Sequence, residues 1–145
     1  MLKRAPRQPL SQQQVIDLLA SRDIQPTLQR LEIAQVLFAR DQHLSADEVL
    51  KLVNQDTARV SKATVYNTLG LFAAKGLIRE VIVDPSRVFY DPNTDEHHHF
   101  YNVDTGELLD IDAEQLSVVD LPPLPKDTVA EGVDIIIRIR NQTPA

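Results

Sequence analysis

Apolar and polar positions along the chain follow two periods, and the change comes near residue 76. Ahead of it the apolar residues recur three and four apart, the spacing of one helix face. Ser11 can cap a first helix carrying Val15, Leu18 and Leu19, and Asp23 to Pro26 ends it. Thr27 can cap a second, with Leu28, Leu31, Val36 and Phe38 as its apolar surface. Ser45-Ala-Asp-Glu48 is a capping box, in which a hydroxyl and a carboxylate each satisfy an orphan backbone N–H. It opens a third helix with Val49, Leu50, Leu52 and Val53. A polar connection, Asn54 to Val60, leads to Ser61 and a fourth helix whose buried face is Val65, Leu69 and Phe72 and whose stop is Gly76. Residues 1–10, with their prolines and basic side chains, read as a flexible arm.

Beyond residue 76 the period becomes that of strands. Leu77 to Val83 and Arg87 to Tyr90 flank an Asp84-Pro85-Ser86 turn and predict a hairpin. Helices followed by a hairpin, with a Ser-capped helix just before the strands, is the order of a winged helix-turn-helix. Asp91 to Thr94 reads as a hinge. His97 to Val103 and Glu107 to Ile111 are strands around Thr105-Gly106, Asp112 to Val119 is expected as a short helix, and Leu121-Pro-Pro-Leu-Pro125 as a stiff connector. Alternation through Val133, Ile135, Ile137 and Ile139 predicts a last strand. The fold class is therefore α+β: a winged helix-turn-helix over residues 1–90, then a small sheet-rich module over 91–145.

Composition narrows the chemistry. The chain has 145 residues, 43% of them apolar, enough for a core. It has no cysteine, which excludes disulfides, thiolate metal sites and thiol nucleophiles. No apolar run approaches the roughly 20 residues of a membrane span, and the basic N-terminus lacks the apolar stretch of a secretory signal. The expected location is the cytoplasm, with no membrane partner. The net charge of −6 hides an asymmetry: residues 1–82 sum to +3 and residues 83–145 to −9. The first module suits phosphates and the second suits a cation.

The fourth helix, with Val65, Leu69 and Phe72 turned inward, leaves Lys62, Thr64, Tyr66, Asn67 and Thr68 outward near its N-terminal half. A recognition helix presents side chains to a major groove in this way. Lys62 suits a phosphate, the Asn67 amide an adenine edge, and Tyr66 a thymine methyl or a phosphate. Arg30 and Arg40 are candidate backbone contacts. An ordinary polar helix face is the competing reading, and the hairpin that follows favours DNA.

Three of the four histidines are adjacent: His97, His98 and His99. On a strand His97 and His99 share one face and His98 takes the other. Two imidazoles from one strand, ringed by Asp91, Asp95, Glu96, Asp104, Asp110 and Asp112, suit Zn2+, Mn2+ or Fe2+ and disfavour Cu+. The triplet is also a haem candidate. The bland alternative is a solvated histidine run, but this run is internal and followed by Phe-Tyr-Asn-Val. His43 alone, before a helix cap, reads as structural.

Pro26-Thr27-Leu28-Gln29-Arg30, His43-Leu44-Ser45-Ala46-Asp47-Glu48, Ala63-Thr64-Val65-Tyr66-Asn67-Thr68-Leu69, the histidine triplet and Gly106-Glu107-Leu108-Leu109-Asp110 occur in that order. Together they resemble the ferric uptake regulator (Fur) family over about residues 11 to 140. His-His-His-Phe, with no Cys strand after it, looks most like the iron response regulator (Irr) branch, which responds to haem. The resemblance implies a winged-helix DNA-binding domain, an α/β dimerisation domain, and a homodimer on an AT-rich palindrome of double-stranded DNA. Tyr66 carries over as the groove-reading residue, with Thr64 and Asn67 beside it. It also implies a metal site of His43, Asp91, His97, His99 and Asp110, holding Fe2+ or Mn2+ (Zn2+ in purified protein) and tying the two modules together. His43 is thereby promoted to a ligand.

The departures are specific. The family's structural zinc uses Cys pairs, and Asn102 and Thr105 stand where the first pair belongs. Dimer stability must then come from packing. A third family site needs a histidine on the last strand, and none follows His99; Asp134 is a weak stand-in. Gln25 replaces the basic residue that several members send into the minor groove.

The leading expectation is a repressor of iron-linked genes controlled by divalent metal and by haem at His97, His98 and His99. An alternative keeps the architecture and senses peroxide through Fe2+ and its histidine ligands. A small His/Asp metalloenzyme is the remote alternative; five protein ligands leave little room for the open position catalysis needs, and no enzyme is expected.

Overall fold

The computed structural model describes residues 7–56, 59–117 and 120–143. Its chain divides into two compact units, the first ending at Thr94 and the second beginning at Asp95. The first unit contains helices α1 (Gln12–Ala20), α2 (Leu28–Leu37), α3 (Ala46–Val53) and α4 (Lys62–Ala74), then strands β1 (Arg79–Asp84) and β2 (Arg87–Asp91).

Each helix opens on the residue expected to cap it. The side chains of Ser11, Thr27, Ser45 and Ser61 accept from the backbone N–H groups of Gln14, Arg30, Glu48 and Thr64. Glu48 returns a bond to the Ser45 N–H at 3.1 Å, completing the box. Gln14 does the same for Ser11 at 2.8 Å. Helix α4 ends on Gly76, whose φ of +74° is open to glycine at little cost. Val15, Leu19, Ile33, Leu37, Val49, Val65, Leu69 and Phe72 are fully buried and form the core that joins the four helices.

The turn between α3 and α4 is set by one amide. Asn54 accepts from the N–H groups of Arg59 and Val60 at 2.8 and 2.9 Å and donates to the Val60 carbonyl at 2.8 Å. That fixes the approach to Ser61 and so the start of α4. Strands β1 and β2 pair antiparallel from Arg79↔Asp91 to Asp84↔Arg87. An isolated bridge adds Leu44 to the edge of β2 opposite Tyr90.

Three expectations are corrected here. Leu28 opens α2 and stays 68% exposed, while Leu31, Ile33, Ala34 and Leu37 form the buried face. Leu52 lies off the α3 face defined by Val49 and Val53 and is exposed. The arm is not free as far as residue 10: the Arg7 N–H donates to Asp41 at 3.0 Å, and its guanidinium stacks 5.0 Å from the Phe38 ring centroid.

The second unit contains β3 (His98–Asn102), β4 (Leu108–Ile111) and β5 (Ile136–Ile139) in the order β4-β3-β5. Strand β4 runs antiparallel to β3 and β5 runs parallel to it. The last strand begins at Ile136, not Val133. The helix expected at Asp112 to Val119 is a turn as far as Ser117, closed by the Gln115 N–H on the Asp112 carbonyl; Val118 and Val119 lie outside the described residues. Asp112 to Gln115 are all exposed, so this turn gains no burial to set against the cost of helix nucleation.

The turn where the family would carry its first Cys pair is built on Asn102. Its side-chain oxygen accepts from the N–H groups of Asp104 and Thr105, and its amide donates to Asn141 at 2.9 Å. The Asn141 N–H donates to Asp104 at 2.8 Å. Hydrogen bonds thus clasp the β3–β4 turn to the segment after β5.

Candidate DNA-reading face and metal centre

Helix α4 is anchored by Val65, Leu69 and Phe72, each with no exposed surface. Opposite this seam Lys62, Tyr66 and Asn67 are exposed and Thr64 is half-buried. Thr68 is buried at 5% exposure, which corrects its expected outward place: it sits beside Leu69 on the packed side of the helix. Lys62 Nζ lies 5.8 Å from the Tyr66 ring centroid, within cation–π range. The Tyr66 hydroxyl donates to Asp47 Oδ1 at 3.4 Å. Arg30 is partly covered and donates to the Gln25 carbonyl at 2.9 Å, holding the turn ahead of α2. Arg40 is exposed and bonded to Gln42.

In the first unit the Leu44–Tyr90 bridge sets the residues on either side of it together. His43 Nε2 lies 3.2 Å from Asp91 Oδ2. Asp91 is 3% exposed, a place where a carboxylate requires a partner. Its other oxygen accepts from the Asn93 N–H at 2.8 Å.

In the second unit β3, which begins at His98 and not at His97 as expected, and β4 bring His99 and Asp110 together, with His97 just ahead of the strand. His99 pairs with Asp110 in the sheet register. Asp110 Oδ1 is 3.4 Å from His97 Nε2 and 3.3 Å from His99 Nε2. The two rings have centroids 4.5 Å apart. His97 Nδ1 lies 2.6 Å from the Asp95 carbonyl. A carbonyl only accepts, so Nδ1 carries a proton, and Nε2 is the nitrogen turned toward the carboxylate. A backbone carbonyl on the far nitrogen is the usual support for a metal-ligating imidazole. His98 goes another way: its Nδ1 accepts from the Ile135 N–H at 3.0 Å.

The donor set fits a divalent cation. All five expected ligands offer an imidazole nitrogen or a carboxylate oxygen. Nitrogen and oxygen donors without sulfur suit Fe2+, Mn2+ and Zn2+.

Sequence reasoning missed Asp47, Asn54 and Arg7. An acidic residue in the first turn of a helix ordinarily complements the helix dipole, so nothing flagged Asp47 as a partner of Tyr66. An Asn in a polar connection reads as solvated.

The model of the ferric uptake regulator family matches residues 21–124. The peroxide-responsive repressor PerR of Staphylococcus aureus is 31% identical over 97 residues, which are 67% of this chain and 66% of that protein. The chain thus spans just under two thirds of that relative. The ferric uptake regulator of Pseudomonas aeruginosa, solved with manganese, matches with a TM-score of 0.65 and 26% identity, over 88% of this chain and 97% of that one. The ferric uptake regulator of Vibrio cholerae matches in fold with a TM-score of 0.67 at 21% identity, over 87% and 98%.

Proposed function

The chain belongs to the ferric uptake regulator family, whose members are transcription regulators and not enzymes, and from that premise we propose that it is a cytoplasmic, homodimeric, metal-dependent repressor of iron-linked genes. The unit ending at Thr94, four residues beyond the boundary expected at residue 90, acts as the DNA-binding domain, and the unit beginning at Asp95 as the dimerisation domain. Helix α4 enters the major groove of an AT-rich palindrome, where Tyr66, Thr64 and Asn67 read bases and Lys62 and Arg30 meet phosphates. His43, Asp91, His97, His99 and Asp110 hold Fe2+ or Mn2+. A bound cation shifts DNA affinity only by its differential affinity for the binding-competent and incompetent states.

The observation that carries the metal reading is His97: its Nδ1–H is spent on a carbonyl, and its Nε2 shares one carboxylate oxygen with His99. Haem sensing by His97, His98 and His99 together has less support, because His98 Nδ1 is engaged by the backbone of Ile135.

The test is fluorescence anisotropy with a duplex that the protein itself has enriched from a random pool, using metal-free protein, then Mn2+, then haem. Mn2+ tightening the complex with haem inert is the expected result. Equal binding with and without Mn2+ overturns metal control. Release by haem restores the haem reading.

A second reading is favoured by the likeness to the staphylococcal peroxide-responsive repressor and by the sulfur-free donor set. In it the same site holds Fe2+ and a histidine ligand gains one oxygen atom from hydrogen peroxide. Mass spectrometry of peptides containing His43 or His97 decides: oxidation with Fe2+ and not with Mn2+ supports it, and no oxidation removes it.

A further inference from the structure

We propose that Asp47, on α3, is a positioning residue for DNA recognition: it holds the Tyr66 hydroxyl and so presets the ring that reads the groove. The inference rests on the assignment of α4 as the reading helix.

Tyr66 is 44% exposed, yet it is held at two points. Lys62 Nζ lies over its ring, 5.8 Å from the centroid, and Asp47 Oδ1 accepts its hydroxyl at 3.4 Å. One contact comes from α4 itself and the other from α3, across the helix pair. Asp47 has no capping duty, because Ser45 and Glu48 already complete the box at the start of α3. Both Asp47 and Tyr66 are exposed, so their bond adds little to the fold. A carboxylate on a face that meets phosphates also weakens every DNA contact by repulsion. What the carboxylate does provide is direction: a side chain fixed before binding loses less freedom on binding. Its effect therefore falls on discrimination between sequences, while its charge falls on affinity for all of them.

The test compares anisotropy on the enriched duplex with that on a scrambled duplex, for the full chain with Mn2+. Asp47→Asn keeps an acceptor and drops the charge. It should tighten both complexes severalfold and leave their ratio within about twofold. Asp47→Ala should cut the ratio about three- to tenfold. In a Tyr66→Phe background, which lacks the hydroxyl, Asp47→Ala should change the ratio no further. If Asp47→Ala does not fold, Asp47→Ser replaces it, keeping a polar first turn with a side chain too short to reach the phenol. An unchanged ratio in Asp47→Ala, an equal loss in the Phe background, or Asn and Ala variants that behave alike would each overturn the inference. A native protein that enriches no sequence overturns the reading-helix assignment itself, and the inference with it.

Discussion

Leu44 and Tyr90 exchange both backbone hydrogen bonds, Leu44 N–H to Tyr90 carbonyl at 3.1 Å and Tyr90 N–H to Leu44 carbonyl at 2.7 Å. This two-residue ladder joins the segment before α3 to the hairpin, and it sets His43 beside Asp91. Backbone bonds, and not a cation, thus hold these two side chains next to each other. His43→Ala should therefore weaken Mn2+ binding by about a hundredfold, at the upper end of what even supporting-residue changes cost, while the first unit stays folded. Isothermal titration with Mn2+ checks this, and an unchanged Kd would remove His43 from the site.

Lys62 and Tyr66 should separate cleanly on DNA. Lys62→Ala should weaken enriched and scrambled duplexes alike and lower the slope of log K against log salt by about 0.9, one phosphate contact. Tyr66→Ala should abolish the preference and leave the slope and the dimer unchanged. A salt titration of both variants, with sedimentation to confirm the dimer, gives the answer.

Chelation should not unfold the second unit. With no cysteine, the β3–β4 turn is closed by Asn102, Asp104 and Asn141 rather than by thiolates. Circular dichroism after exhaustive chelation should match that of untreated protein. Asn102→Ala should cost about 1 kcal/mol, because the bonds it removes lie near solvent and water can replace them. Loss of strand signal on chelation would show a structural metal that the donor chemistry does not predict.

The helical half was legible because its signals are local. Ser11, Thr27, Ser45 and Ser61 act within four residues, and Val65, Leu69 and Phe72 repeat on one face. The closeness of His97 to His99 was also legible from alternation, although β3 itself begins only at His98. What stayed hidden depends on partners distant in sequence. Thr68 lies at the margin of the α4 stripe, and only the packed neighbours decide that it is buried. The turn at Asp112 to Ser117 has helix-forming residues but no surface to pack on. Asp47 finds Tyr66 nineteen residues away, through the α3–α4 packing that no local pattern encodes.

Tyr90 gives a prediction at alkaline pH. Its phenol is pushed above the ordinary value of 10.0, first by burial and then by the charges of Glu80 and Tyr66. The fold thus favours the neutral phenol. Below 10 neither folded nor unfolded chain ionises there, and the contribution is fully present. Above 10 the unfolded chain gives up a proton that the folded chain retains, so stability falls as pH climbs through the folded value. Tyr90→Phe keeps the ring and the bridge to Leu44 but has no proton to lose. Urea midpoints measured at neutral pH and in steps above 10 should fall less steeply for the Phe variant than for the native protein. Parallel declines would mean that Tyr90 ionises as freely in the fold as out of it.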